Sequence, residues 1–107
     1  MVEVHVGKGS RMYGTVAKTK VSPENREKIR AVMQDQMAQR SVPGFVTSYV
    51  LYENDSDTAW LFAIFEDRES YDRNADDPAQ DADYQAYRAL MDADPEWHDG
   101  VIERYDS

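Results

Sequence analysis

Three polar residues in the second half of the chain have side chains suited to binding a small molecule and moving a proton. Tyr71 and Asn74 are three residues apart, so on a helix they share one side and offer a hydroxyl and an amide to the same ligand. His98 lies among carboxylates, and histidine has the unperturbed pKa closest to neutrality. We therefore take Tyr71, Asn74 and His98 as the catalytic candidates of a site that orients a ligand and transfers a proton.

Each candidate also has a purely structural interpretation. Tyr71 could be a core tyrosine with its hydroxyl at a pocket edge, since buried tyrosines usually find a hydrogen-bond partner. Asn74 could end its helix, because asparagine tolerates left-handed backbone geometry. For His98 we favour a loop, in which Trp97 anchors the entry to the last strand and the imidazole bonds locally. The sequence leaves both interpretations open.

Apolar side chains could supply the walls of a ligand pocket. Met33 and Met91 are suited to filling a core or to lining a pocket, because methionine adapts to irregular shapes. Tyr87 and several other tyrosines are compatible with an aromatic ligand. The chain has no cysteine and only two histidines, which excludes thiolate-bound zinc, thiolate-bound haem and a cysteine nucleophile. With two histidines and no cysteine, the sequence predicts no zinc or non-haem iron site.

The size and charge of the chain limit its partners. Its 107 residues are enough for one domain with a single core. The net charge of −9 repels phosphate backbones and anionic lipid headgroups, so we expect no nucleic-acid or membrane partner. No stretch has the length and apolar character of a membrane span, and the start of the chain has no apolar signal-peptide region. The sequence therefore predicts a cytoplasmic protein.

Secondary-structure signals follow the order β-α-β-β-α-β. Strands are predicted at 11–21, 45–53, 58–65 and 101–105, and helices at 23–40, after Asp67, and from Asp77 to about Asp92. Ser22, Asp67 and Asp77 are the predicted helix caps. Connections of this length form right-handed crossovers, which favours an α+β, ferredoxin-like sandwich over residues 11–107. Residues 1–10 are predicted to be an N-terminal arm or a short edge strand.

The third predicted strand is apolar on both faces. Its even positions are Trp60, Phe62 and Ile64, and its odd positions are equally apolar. The second strand has the same character, with one face predicted to hold Phe45, Tyr49 and Leu51. The helices of this fold cover only one face, so leaving five or six large side chains in water would forgo about 10 kcal/mol. We expect a second copy to cover them, forming a homodimer through the sheet face; the alternative is that residues 1–10 fold over it.

Four segments of the chain resemble the antibiotic biosynthesis monooxygenase superfamily. They are Val42-Pro43-Gly44-Phe45, the strand end at 62–67, Glu69-Ser70-Tyr71, and 74–78, and the resemblance extends over roughly residues 13–105. It implies a dimeric α/β barrel, in which two ferredoxin-like sheets face each other. It also implies oxygenation without metal or flavin, in which the bound substrate loses a proton and passes an electron to O₂.

The resemblance further implies positions for the site. Quinone-forming members carry an asparagine and a tryptophan on the third strand and a tyrosine on the following helix, and these positions fall at Leu61, Phe65 and Tyr71. Leu61 and Phe65 thus join Tyr87 and the two methionines as predicted pocket residues. The haem-degrading members need an axial histidine near 85–90, which this chain lacks. We predict a cofactor-independent monooxygenase-like protein acting on a small hydrophobic or aromatic molecule with O₂; the alternative is a non-catalytic ligand-binding or accessory dimer of the same fold.

Overall fold

The computed structural model describes residues 11–107, so the arm or edge strand predicted for residues 1–10 lies outside the described residues. Residues 11–107 form four strands and three helices in the order β-α-β-β-α-α-β. They are β1 (Met12–Lys20), α1 (Pro23–Gln39), β2 (Phe45–Tyr52), β3 (Thr58–Phe65), α2 (Arg68–Ala75), α3 (Pro78–Arg88) and β4 (Glu96–Ile102). None of these helices is both long enough and apolar enough to cross a bilayer.

The strands form one antiparallel sheet in the order β2-β3-β1-β4. β1 pairs with β3 on one side and with β4 on the other, so the first and last strands of the chain are neighbours. This order, with helices between the strands, is that of a ferredoxin-like sandwich. The prediction of an α+β, ferredoxin-like fold is confirmed.

Side chains alternate between two faces along each strand, and the helices pack against one of them. This helix-side face contributes Ala17, Ala59 and Leu61 to a buried core, together with Ile29 of α1 and Met91 beyond α3. The core lies towards the end of the sheet where β3 begins. Nearer the other end of β3, the helix-side residues belong to the site described below.

The opposite face, called the outer face below, is largely apolar. It holds Trp60, Phe62 and Ile64 of β3 and Tyr49 and Leu51 of β2. The three β3 side chains are half-buried by their neighbours in the sheet, whereas Tyr49 is 60% exposed and Leu51 51% exposed. Large apolar area therefore remains uncovered by the described residues.

A β-bulge near the start of β2 changes the face of its first residue. The register shifts between Phe45 and Thr47, so Phe45 lies opposite Phe65 on the helix-side face. Its ring centroid is 5.5 Å from that of Phe65. The prediction that Phe45 shares a face with Tyr49 and Leu51 is therefore wrong, because the extra residue reverses the alternation.

The last strand starts earlier than predicted. β4 begins at Glu96 instead of Val101, so the predicted loop around His98 is also wrong. The Asp92 N–H donates to the carbonyl of Lys20 at 2.8 Å, and the Thr19 hydroxyl donates to the carbonyl of Ala93 at 2.7 Å. These bonds bring the chain alongside β1 before it reaches the strand, and they allow pairing from the first residue of β4.

The last helix ends earlier than predicted, at Arg88 instead of near Asp92. The N–H groups of Leu90 and Met91 bond three residues back, to the carbonyls of Tyr87 and Arg88, at 3.0 Å each. Such tight turns end an α-helix and here direct the Met91 side chain into the core.

Two of the three predicted helix caps form. Asp67 accepts a hydrogen bond from the N–H of Ser70 at 2.8 Å, and Asp77 accepts one from the N–H of Ala79 at 2.9 Å. Ser22 precedes α1, but its side chain makes no capping hydrogen bond. The Asp67 cap fixes the start of α2 and hence the direction of Tyr71, one turn further on.

Gly14 lies where the backbones of β1 and β3 approach closely. A Cβ at Gly14 would collide with the carbonyl oxygen of Ala63, whereas a Cβ at Gly100, its partner on β4, would meet no atom within 4 Å. We expect Gly14→Ala to lower the free energy of unfolding by about 1–3 kcal/mol, because β3 must move. Gly100→Ala, the control, should change it by less than about 0.5 kcal/mol. Urea denaturation followed by circular dichroism measures both, and equal losses would contradict the close approach.

Candidate functional site

A cavity of about 810 Å³ lies between the helix-side face of the sheet and the three helices, and it is open to solvent. Its floor on the sheet consists of small side chains, those of Thr15, Ser48 and Ala63. Because these side chains are short, the helices above them leave a space that the core side chains do not fill. The walls hold six aromatic residues: Phe45, Phe65, Tyr71, Tyr84, Tyr87 and Trp97.

The polar end of the cavity is formed by α2 and β4. The Tyr71 hydroxyl donates a hydrogen bond to Oδ1 of Asp99 at 3.0 Å. The Tyr71 ring is held between Tyr13 and Phe65, with ring centroids 5.3 and 5.6 Å away. Asp99 reaches the same side of the sheet because it pairs with Thr15 across β1 and β4. A hydroxyl donor and a carboxylate therefore meet at a defined point on the cavity wall.

The environment of Tyr71 keeps its proton in place. Partial burial, and then the hydrogen bond to Asp99 and the charge of that carboxylate, raise the pKa of Tyr71 to about 12, although the Thr15 hydroxyl acts in the opposite direction. At neutral pH the phenol is therefore protonated. Tyr71 can orient another group by hydrogen bonding, but it is not itself a base.

Asn74 lies on the same side of α2 as Tyr71 and also lines the cavity. It does not end the helix: the C-cap is Asp76, so the structural interpretation of Asn74 as a C-cap is wrong. Its side-chain Oδ1 is buried and has no hydrogen-bond partner within residues 11–107. A buried acceptor without a donor costs about 1–3 kcal/mol, and this oxygen atom is not itself accessible from the cavity.

Arg40, the C-cap residue of α1, lies at the opposite end of the cavity and links α1 to α3. Its guanidinium donates to Oδ2 of Asp83 from Nη2 at 2.8 Å and from Nε at 3.1 Å, and to Oε1 of Gln80 at 3.1 Å. These bonds join the end of α1 to α3. Among the described residues that line the cavity, Arg40 is the only cation, and the carboxylates of Asp81, Asp83 and Asp99 line it as well. The cavity is thus net negative and disfavours an anionic ligand.

An aromatic wall connects the two ends. Tyr84 lies between Tyr87 and Trp97, with ring centroids 5.4 and 5.9 Å away. Burial, followed by the proximity of Tyr84 and Asp83, raises the pKa of Tyr87 to about 12. Tyr87 is therefore neutral and presents an aromatic face.

Within the described part of the chain, no three histidine, aspartate or glutamate side chains are grouped so that they could hold a metal ion.

The structure brings five of the eight predicted site residues together and separates three. Tyr71, Asn74, Phe65, Tyr87 and Met33 all line the cavity. Leu61 and Met91, predicted in the pocket, lie instead in the buried core, where only 9% and 6% of their surface is exposed. They are excluded from the cavity because the helices pack directly on the sheet at that end.

His98 is separated from the other two catalytic candidates by the sheet itself. Side chains alternate along β4, so Trp97 and Asp99 point to the helix side while His98 pairs with Val16 on the outer face. Its Nε2 lies 3.4 Å from a carboxylate oxygen of Glu96. A role for His98 as a base in this cavity is not compatible with that position.

Sequence reasoning missed several polar residues of the cavity, among them Asp99 and Thr15. Asp99 is adjacent to His98, and the alternation of β4 would have placed one of the two in the cavity. That signal was lost because the last strand was predicted to begin at Val101. Thr15 lies in a strand that was predicted correctly, but nothing in its local pattern distinguishes it from the other β-branched residues of β1.

Comparison with known proteins gives the chain its family. Residues 12–82 match the model of the family described as antibiotic biosynthesis monooxygenase. The fold is similar to that of a monooxygenase from Streptomyces coelicolor, the product of the gene ActVA-Orf6, in complex with Nanaomycin D; the two chains are 19% identical, with a TM-score of 0.73 over 97% of this chain and 98% of that one. No curated protein matches the chain in sequence.

Two further solved structures have similar folds. One is SnoaB, a cofactor-independent oxygenase from Streptomyces nogalater, at 22% identity and a TM-score of 0.62 over 91% of this chain and 96% of that one. The other is a protein from Chloroflexus aurantiacus, at 24% identity and a TM-score of 0.66 over 90% and 97% of the two chains. These likenesses show a shared fold. Since the family match spans more than half of the chain, this protein belongs to the antibiotic biosynthesis monooxygenase family.

Proposed function

We propose that this protein is a cofactor-independent monooxygenase that oxidises a small, uncharged, hydroxylated aromatic molecule with O₂. The observation that carries the proposal is the open, aromatic cavity with the Tyr71 hydroxyl and the Asn74 amide on one wall. Two proteins of similar fold support it: SnoaB is a cofactor-independent oxygenase, and the ActVA-Orf6 product is a monooxygenase in complex with Nanaomycin D.

The cavity has the size and lining that such a molecule requires. Its volume, about 810 Å³, lies in the range of about 300–1,000 Å³ that ligand pockets occupy. Aromatic side chains bury large apolar area and stack on aromatic rings, while the hydroxyl and amide fix the orientation of a polar substituent. The excess of carboxylates over the single Arg40 favours a neutral ligand over a carboxylate.

The chemistry needs only the substrate and O₂. An activated methylene becomes a carbonyl according to R₂CH₂ + O₂ → R₂C=O + H₂O, in which the carbon loses two hydrogens and gains one oxygen atom. The other oxygen atom leaves as water, so four electrons pass from substrate to O₂. The protein contributes orientation and a proton acceptor, which are positioning and electrostatic effects.

The third strand supplies fewer polar groups than the family pattern implies. Leu61 and Phe65 occupy the positions at which quinone-forming members carry an asparagine and a tryptophan. This difference favours a second candidate, a ligand-binding protein without catalysis. At the polar end of this cavity, the hydroxyl, the amide and the carboxylate come instead from α2 and β4. Turnover distinguishes the two candidates.

We also propose that two copies pair through their outer faces. Tyr49 and Leu51 are more than half exposed there, next to the three large apolar residues of β3. Covering such a side chain contributes about 1.5–3 kcal/mol, so several of them together can hold a dimer. A two-fold arrangement lets the same face serve both partners.

Oxygen uptake tests the catalytic proposal. With 1,8-dihydroxyanthrone, we expect the protein to consume O₂ in an amount equal to the quinone formed, above the rate of spontaneous oxidation.

Ala75→Phe, which places a ring in the cavity, should weaken substrate binding at least about tenfold by occluding it. Ala86→Phe, at an exposed position on α3 outside the cavity, is the control. An oxygen electrode and quinone absorbance measure turnover, and calorimetry measures binding; binding without turnover would support the second candidate.

Sedimentation tests the dimer. At micromolar concentration we expect the mass of two chains for the wild type and of one chain for Leu51→Lys, because a charge on the outer face opposes its burial. Ala31→Lys, at an exposed position of α1, should leave the mass unchanged. A single-chain mass for the wild type would refute the proposal.

A further inference from the structure

One carboxylate in the cavity is both held by a neighbour and available to a ligand. Oδ1 of Asp99 accepts the hydrogen bond from the Tyr71 hydroxyl at 3.0 Å. Its Oδ2 accepts no hydrogen bond from any residue between 11 and 107, and Asp99 forms no ion pair with any of them. An ionised carboxylate can accept about four hydrogen bonds, so Asp99 has unused capacity.

The other ionisable groups lining the cavity are less suited to accept a proton. Tyr71 and Tyr87 are phenols that keep their protons at neutral pH. Asp83 is engaged by the Arg40 guanidinium through two hydrogen bonds. Asp81 lies in the first turn of α3, near the positive end of that helix and away from the Tyr71 hydroxyl.

The outer face offers no substitute base. His98, the residue whose type best fits the role, lies on the other side of the sheet with Glu96 beside it. Asn74 can donate or accept a hydrogen bond, but an amide does not take up a proton at neutral pH. Asp99 is therefore the one lining carboxylate, within the described residues, that is positioned by a substrate-binding side chain and unpaired with a cation.

We propose that Asp99 is the proton acceptor of this site and that Tyr71 is the residue that positions it. The inference rests on the proposed function and deepens it. The Tyr71 hydroxyl fixes Oδ1, and Oδ2 takes the proton from the activated methylene or hydroxyl of the bound aromatic substrate. The residue lies in β4, beyond residues 12–82 that match the family model.

The proton step is balanced without any further reagent. The substrate R₂CH₂ and the Asp99 carboxylate give the carbanion R₂CH⁻ and the neutral carboxylic acid, and no electron changes hands. The carbanion then reduces O₂, and the proton on Asp99 joins the reduced oxygen that leaves as water. Asp99 is exposed to solvent as well as to the cavity, so while it holds the proton it can exchange it with water.

Hydrogen–deuterium exchange in the absence of O₂ separates this step from oxidation. The probe is 1,8-dihydroxyanthrone in D₂O buffer, and the loss of its methylene signal is followed by proton NMR. We expect the wild-type protein to accelerate exchange above the buffer rate. Asp99→Asn, which keeps the shape and the acceptor for Tyr71, should slow protein-catalysed exchange by about 100-fold or more, because the base is removed.

Two further variants test the separate roles. Tyr71→Phe retains the carboxylate but not its orienting donor, and we expect a smaller loss of about tenfold. Glu96→Gln, on the same strand but on the outer face, is the matched control and should exchange at the wild-type rate. Anthrone binding measured by calorimetry should change by less than about threefold in Asp99→Asn, which shows that the variant is folded and that its defect lies in proton removal.

The outcomes distinguish this inference from the proposed function. Exchange that depends on Asp99, without O₂ consumption in air, would support the proton acceptor and refute the monooxygenase. Oxidation at the wild-type rate by Asp99→Asn, or exchange unaffected by that change, would refute the proton acceptor and leave the monooxygenase standing. If the wild-type protein catalyses neither exchange nor oxidation, both proposals are refuted.

Discussion

The pairing of β1 with β3 and β4 determines which side chains meet in the cavity. Thr15 is opposite Ala63 on one side and opposite Asp99 on the other, and all three therefore face the helices. Because side chains alternate along a strand, a shift of β4 by one residue would turn Asp99 outward and bring His98 into the cavity. Which polar side chain of β4 lines the cavity thus depends on backbone hydrogen bonds between β1 and β4.

The cavity exists because the helix-side face of the sheet carries different side chains at its two ends. At one end, Leu61 and Ile29 pack directly together and fill the space between sheet and helices. At the other end the sheet carries small side chains, and the helices are joined across the gap by the hydrogen bonds from Arg40 to Asp83. An ion pair of this partly exposed kind adds little net stability. Its effect is positional, since it holds the ends of α1 and α3 together while leaving the space beneath them open.

Tyr71, Asn74 and Asp99, at the polar end of the cavity, lie on α2 and β4, whereas β3 serves mainly for packing. Leu61 is in the core, and Phe65 stacks edge-to-face with Tyr71. That contact, with the Asp67 cap, fixes the direction in which the Tyr71 hydroxyl points. The sheet and the helices form different walls of the cavity. The residues at the polar end can therefore change while the fold keeps a pocket of the same kind.

Local sequence determined the order of the elements, the apolar character of both faces of β3, and the shared side of Tyr71 and Asn74, because alternation, helical spacing and capping involve only neighbours along the chain. It predicted the last strand but not its first five residues, which are mostly polar and follow a proline, since only pairing with β1 makes them part of β4. The bulge that turns Phe45 inward and the packing that buries Met91 were equally invisible. The sequence by itself therefore predicted the fold and five of the residues that line the cavity. The tertiary structure decided that Asp99, and not His98, reaches the cavity, because strand register depends on long-range hydrogen bonds that no local pattern records.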